Sequence, residues 1–193
     1  MAKLRLKDIT TIQLGLILAR KKAYSGSQYT YKRLTLRAME RNGINPESVE
    51  PFFSTEPLQN YYFTETGTII MKLFSPFNPV IITKETEGYL FPSQMVKIKP
   101  SNFILPEYLC LYLSQGFVTD CLLENYSLIA QKAITVDSLS NLEIKVPSQK
   151  RQRIICDYYQ NYHHILRLRE DLAREEQAMM KYVLSEYSKD KES

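Results

Sequence analysis

The residues of this chain that invite a chemical reading are few. Asp137 together with Glu143-Ile144-Lys145 has the make-up of a metal-dependent nuclease site, in which two carboxylates hold Mg²⁺ and a lysine steadies the attacking water. Only five residues separate the two carboxylates, however, and Glu-x-Lys arises by chance on many strand faces. His163 and His164 are the two histidines. Neighbours on a helix point about 100° apart and cannot share a metal. Cys110, Cys121 and Cys156 are odd in number and far apart, which excludes a disulfide framework and a Cys-x-x-Cys zinc site. Gly15, Gly26, Gly43, Gly67, Gly88 and Gly116 stand alone, so no glycine-rich loop cradles a phosphate. The expectation is a chain with no catalytic residues, metal or cofactor of its own.

Binding chemistry is better represented. Arg20-Lys21-Lys22 is followed by Tyr24, Ser25, Ser27 and Gln28, then by Tyr29, Tyr31, Lys32 and Arg33. Cations hold phosphates, while tyrosine, hydroxyl and amide groups reach base edges. A solvated loop followed by a strand would have a similar composition. Lys72 and Lys84 are candidates to flank such a surface, as are Gln131 and Lys132. The charge distribution points the same way. The net charge is +4, yet residues 1–41 hold ten Lys and Arg against two acidic residues. Residues 42–147 hold six against eleven, and residues 148–193 hold nine against eight. A surface that meets a polyanion concentrates its charge in this manner.

The elements that must position these residues fall into two regimes. The chain has 193 residues, 44% of them apolar and 24% charged, as in an ordinary globular domain with an appendage. Residues 1–147 are punctuated by Gly, Pro and Asn and form an expected α+β domain. Strands are predicted at 68–73, 80–83, 89–91, 95–98 and 142–146, with mostly local pairings. Helices are predicted at 106–113, opened by Pro106, and at 118–123. The aromatic runs 61–63 and 74–79 suit a core better than a base-stacking surface. Asn78-Pro79 matches only the start of the Asn/Asp-Pro-Pro-aromatic site of amino-methyltransferases, with Val80 and Ile81 where the second proline and the aromatic belong.

Residues 148–193 differ in texture: from Ser148, a candidate N-cap, to about Tyr187 there is neither Gly nor Pro. Ile155, Tyr158, Tyr162, Ile165, Leu172, Met179 and Val183 recur at near-heptad steps. A single helix about 60 Å long is predicted, longer than the preceding domain needs. Its apolar stripe calls for a partner helix, paired as a coiled coil. With neither a signal peptide nor a membrane span in view, the expected location is the cytoplasm.

Four stretches resemble a known family. Leu6-Lys7-Asp8-Ile9 with Ile12 and Gly15, Tyr62-Phe63 with Gly67-Thr68-Ile69-Ile70, and Pro106-Glu107-Tyr108-Leu109 with Leu113 occur in the order found in type I restriction–modification specificity subunits. The stretch from Leu139 to Ile155, with Pro147 and Gln152, resembles the closing pattern of the same family. Thr68 stands where the family usually has an acid. Members usually carry two target-recognition domains and two spacer helices, and this chain resembles one of each.

The resemblance implies a non-catalytic specificity subunit that binds double-stranded DNA. It further implies a homodimer with antiparallel helices that reads a bipartite, palindromic site. A methyltransferase subunit carrying S-adenosylmethionine would dock on the helices, and a motor or restriction subunit would supply cleavage. Base-reading residues do not carry over, because recognition domains differ from target to target. Two alternatives stand beside this reading: a stand-alone regulator or decoy that exchanges into specificity subunits, and the small nuclease built on Asp137 and Glu143.

Overall fold

The computed structural model describes residues 2–41, 43–124 and 133–189. Along the chain these are β1 (Ala2–Arg5), α1 (Leu6–Ile9), β2 (Thr10–Leu14), β3 (Tyr29–Arg33), β4 (Met39–Glu40), β5 (Gly43–Ile44) and β6 (Glu50–Ser54). Then come β7 (Ile69–Lys72), β8 (Val80–Ile81), β9 (Met95–Pro100), α2 (Pro106–Leu113), α3 (Gly116–Leu123), α4 (Val136–Ser140), β10 (Glu143–Val146) and α5 (Gln149–Lys189). The chain forms two units, Met1–Gln152 and Arg153–Ser193.

The first unit is built on a four-stranded sheet in the order β2-β9-β7-β8. Three two-stranded ribbons accompany it, β1 with β10, β3 with β6 and β4 with β5. Every ladder between these strands is antiparallel, in keeping with an α+β fold. The expectation of mostly local pairings is overturned at the N-terminus. Leu4 pairs with Ile144 and Ile12 with Ile98, so β1 closes the domain against its far end and β2 joins the central sheet. The N-terminal stretch hides its strands because β1 is only four residues long and half cationic, while β2 carries polar residues on an exposed face.

The core follows from the apolar strands. All four residues of β7 are buried, as expected of a strand covered on both faces. Ile70 packs with Leu34, Met39, Val80, Ile82, Phe91 and Met95. Each such side chain contributes about 1.5–3 kcal/mol relative to an exposed one. A second cluster gathers Leu16, Phe52 and Leu90, with Tyr31, Leu58, Tyr62 and Phe63 around it. Between the two clusters the backbones approach closely at Gly15. A Cβ there would lie 2.2 Å from the Pro92 carbonyl oxygen, which leaves glycine as the residue that fits.

Pro106 opens α2, where the missing N–H is harmless, and the helix turns Tyr108, Leu109 and Leu113 inward. The Tyr108 hydroxyl donates to the Lys145 carbonyl at 2.9 Å, tying α2 to β10. The Gln152 side chain is wholly buried. Its Oε1 accepts from the Leu105 N–H at 2.8 Å, and its Nε2 donates to the carbonyls of Pro147 and Phe103 at 2.9 and 3.1 Å. A buried amide so satisfied carries no desolvation penalty to speak of, and replacing it would orphan three backbone groups.

α5 begins directly after Ser148 and runs for 41 residues, about 60 Å. In the second unit Tyr158, Tyr162, Ile165, Leu172, Met179 and Val183 are exposed, while Ile155 is half-buried. Leu168, Met180, Leu184 and Tyr187 widen the exposed apolar stripe. Among the described residues no helix is long and apolar enough to cross a membrane.

Candidate nucleic-acid interface

The basic–aromatic stretch folds around one residue, Ser54. At the end of β6, Ser54 pairs with Tyr29 of β3 on one side and bridges to Lys22 on the other. The Ala23 N–H donates to the Phe53 carbonyl at 2.8 Å, and the Thr55 N–H donates to Lys21 at 3.1 Å. Residues 22–29 therefore loop around the strand end. Gly26, at φ 98°, supplies the left-handed turn that side-chain-bearing residues avoid. The Ser27 hydroxyl donates to the Ser54 carbonyl and holds the loop in place.

The loop presents its polar groups outward. Tyr24 is 94% exposed, and Arg20, Lys22, Ser25 and Gln28 are exposed beside it. None of Arg20, Lys22 and Lys32 has a carboxylate partner among the described residues. Lys21 is ion-paired with Glu56, and Arg33 with Glu50, which reduces the charge each can offer a phosphate. Strand β3 alternates: Thr30 and Lys32 face solvent, while Tyr29, Tyr31 and Arg33 are half-buried.

Two of the candidate residues sit where a nucleic acid cannot use them. Tyr31 stacks on Phe63, with ring centroids 5.2 Å apart, and its hydroxyl accepts from the Leu58 N–H at 3.1 Å. Its place in β3 points it into the second core cluster, so it supports the ribbon instead of reading bases. Lys72 is 8% exposed on the central strand β7, with its ammonium 3.4 Å from the Met39 carbonyl. Burial pushes its pKa down. Lys84 is exposed in the turn after β8. Gln131 and Lys132 lie outside the described residues.

Several relevant residues escaped the sequence. Arg37 and Arg41 are exposed cations with no ion pair among the described residues. Arg41 directly follows β4, and the sequence pair Asn42-Gly43 is a hairpin signal that could have found it. Lys97 of β9 is a buried lysine whose ammonium donates to the Tyr61 and Phe63 carbonyls, 3.0 Å each, and lies over the Phe91 ring. Desolvation lowers its pKa, partly opposed by the Glu65 carboxylate.

The carboxylates of the nuclease reading serve structure. Glu143 faces solvent on β10 and pairs with Lys3 at 3.2 Å. Asp137 lies in the first turn of α4, where it complements the helix dipole. Among the described residues no group of three His, Cys, Asp or Glu side chains is placed to hold a metal.

This fold, a mixed domain followed by one long helix, is similar to that of two solved chains, one from a type I R-M system and one an HsdS subunit. A chain from a type I R-M system solved for its complex assembly and conformational transition superposes with a TM-score of 0.67 at 15% identity. The match covers 94% of this chain and 43% of that one. The HsdS subunit of Thermoanaerobacter tengcongensis gives a TM-score of 0.59 at 15% identity, covering 84% of this chain and 37% of that one. The chain thus spans less than half the length of the solved chains it matches. Comparison with the curated protein sequences finds no match. The Type I restriction modification DNA specificity domain profile matches residues 1–175, and the chain belongs to that family.

Proposed function

We propose that the first unit reads one half-site of a double-stranded DNA target through the 20–28 loop and the solvent face of β3. The observation that carries this reading is the coincidence of unpaired Arg20, Lys22 and Lys32 with the protruding Tyr24 on one loop and ribbon. A two-stranded ribbon with its loop is of a size that the major groove admits. The exposed stripe on α5 supports antiparallel pairing with a second copy of the chain. Two recognition units related by a two-fold axis would read a bipartite palindrome, with an unread gap set by helix length. The paired helices would position an adenine methyltransferase subunit, which brings S-adenosylmethionine, and in restricting systems a motor subunit. Catalysis belongs to those partners, and no observation favours the regulator or decoy reading.

Methylation mapping of the source cell with and without the gene tests this directly. The expected result is loss of a single bipartite palindromic adenine-methylation motif. An unchanged methylome in cells that express the chain would overturn the proposal.

A further inference from the structure

Away from the ribbon, hydrogen-bond donors without partners converge on one cleft. It has a volume of about 310 Å³ and is lined in part by Arg41, Ser75, Asn78, Pro79, Ser114 and Thr119. The Arg41 guanidinium makes no hydrogen bond and no ion pair with any described residue. The Ser75 and Thr119 hydroxyls are likewise unused. Asn78 spends one amide hydrogen on the Met39 carbonyl at 3.0 Å and keeps the other. No carboxylate stands among the lining residues. A planar fork of five donors, with two hydroxyls and an amide beside it, matches the several acceptor oxygens of a tetrahedral oxyanion.

Arg41 and Pro79 also border a second hollow of about 350 Å³, whose walls include Ile44 and Ile81. Room for an apolar or planar group therefore adjoins the cationic cleft.

We propose that the Arg41 cleft is a phosphate site, and that the phosphate it takes is carried by a nucleotide unit whose sugar or base rests in the adjoining hollow. That unit comes either from the backbone of bound DNA or from a free mononucleotide. The proposal stands on the donors of the cleft and does not require the 20–28 loop to read bases.

The test compares the full chain with Arg41→Ala and with the double variant Ser75→Ala/Thr119→Ala, whose hydroxyls make no hydrogen bond to any described residue. One arm titrates random-sequence duplex DNA at several salt concentrations; the other titrates thymidine 5′-monophosphate by calorimetry. A backbone phosphate in the cleft predicts that Arg41→Ala weakens duplex binding about tenfold on every sequence and lowers the salt slope by about 0.9. A free nucleotide predicts saturable monophosphate binding that Arg41→Ala abolishes while duplex affinity stays unchanged. Both variants folded and indistinguishable from the parent in both arms would overturn the proposal. If Lys22→Ala weakens duplex binding but neither cleft variant changes either arm, the cleft fails and the ribbon reading survives. If the parent chain binds no duplex, the ribbon reading fails and the monophosphate arm alone decides the cleft.

Discussion

The hydroxyl of Ser27 donates to the backbone carbonyl of Ser54, so the loop that carries Tyr24 is fastened to the strand it wraps. Ser27→Ala removes this tie without touching an exposed cation. Stability is expected to fall by about 1 kcal/mol, the worth of one neutral hydrogen bond. Affinity for the cognate duplex is expected to fall about threefold, because the freed loop must be ordered on binding. Urea melts and fluorescence anisotropy check both numbers, and unchanged affinity would mean that the loop is not part of the interface.

The three cations of the candidate interface without an ion pair among the described residues should behave differently from the exposed tyrosine. Arg20→Ala, Lys22→Ala and Lys32→Ala are each expected to weaken all duplexes alike and to lower the log–log salt slope by about 0.9 per lost phosphate contact. Tyr24→Ala is expected to relax the sequence preference, costing about 1–3 kcal/mol on the cognate site alone. Binding measured on cognate and scrambled duplexes separates the two behaviours.

Lys97 is expected to matter to stability, not to DNA. Lys97→Met keeps the apolar stem but leaves the Phe63 carbonyl without a donor, while Tyr61 keeps Gln13 at 2.7 Å. A loss of about 2 kcal/mol is expected. The pH dependence gives a second readout. A lysine whose folded pKa lies below its unfolded value binds fewer protons when folded, so its contribution to stability grows as pH rises toward 10.5 and is lost as pH falls through the folded value. Lys72 acts in the same direction. Lys97→Met should therefore flatten the rise of stability as pH climbs toward 10.5. Chemical melts across that range check it, and an unaltered slope would contradict the assignment.

Leu172→Glu combined with Met179→Glu should yield a monomer with an intact first unit, because both residues lie on the exposed stripe of α5. Sedimentation velocity reads the mass and near-ultraviolet circular dichroism reads the fold. A dimer that persists would show that another surface pairs the chains. Arg169 and Glu176 sit seven residues apart within the same repeat, between Tyr162 and Val183. Replacing both with Leu is expected to tighten pairing and to loosen its register, as removal of polar core positions does in coiled coils.

Much of the fold was legible because its signals are local. Pro106 opens α2 at its first turn, and the want of Gly and Pro after Ser148 marks α5. Strand β7 announces itself by the apolar run Ile69-Ile70-Met71, and β9 by Met95-Val96 and Ile98 between turn residues. The N-terminal strands were illegible, since their partners lie about 85 to 140 residues away and periodicity carries no record of a distant neighbour. The candidate interface was legible as composition and not as geometry. Lys22 and Tyr24 belong to it, yet nothing in the spacing of residues shows that Tyr31 turns toward Phe63 or that Lys72 lies in a strand buried on both faces.

The alternation of β3 divides labour between neighbouring residues. Tyr29, Tyr31 and Arg33 hold the ribbon to the domain, and Thr30 and Lys32 face outward between them. If the ribbon reads DNA as proposed, the outward positions are free to change under selection for a new target while the inward ones keep the same scaffold. On that reading recognition would drift quickly, because rewriting the message would leave the page intact.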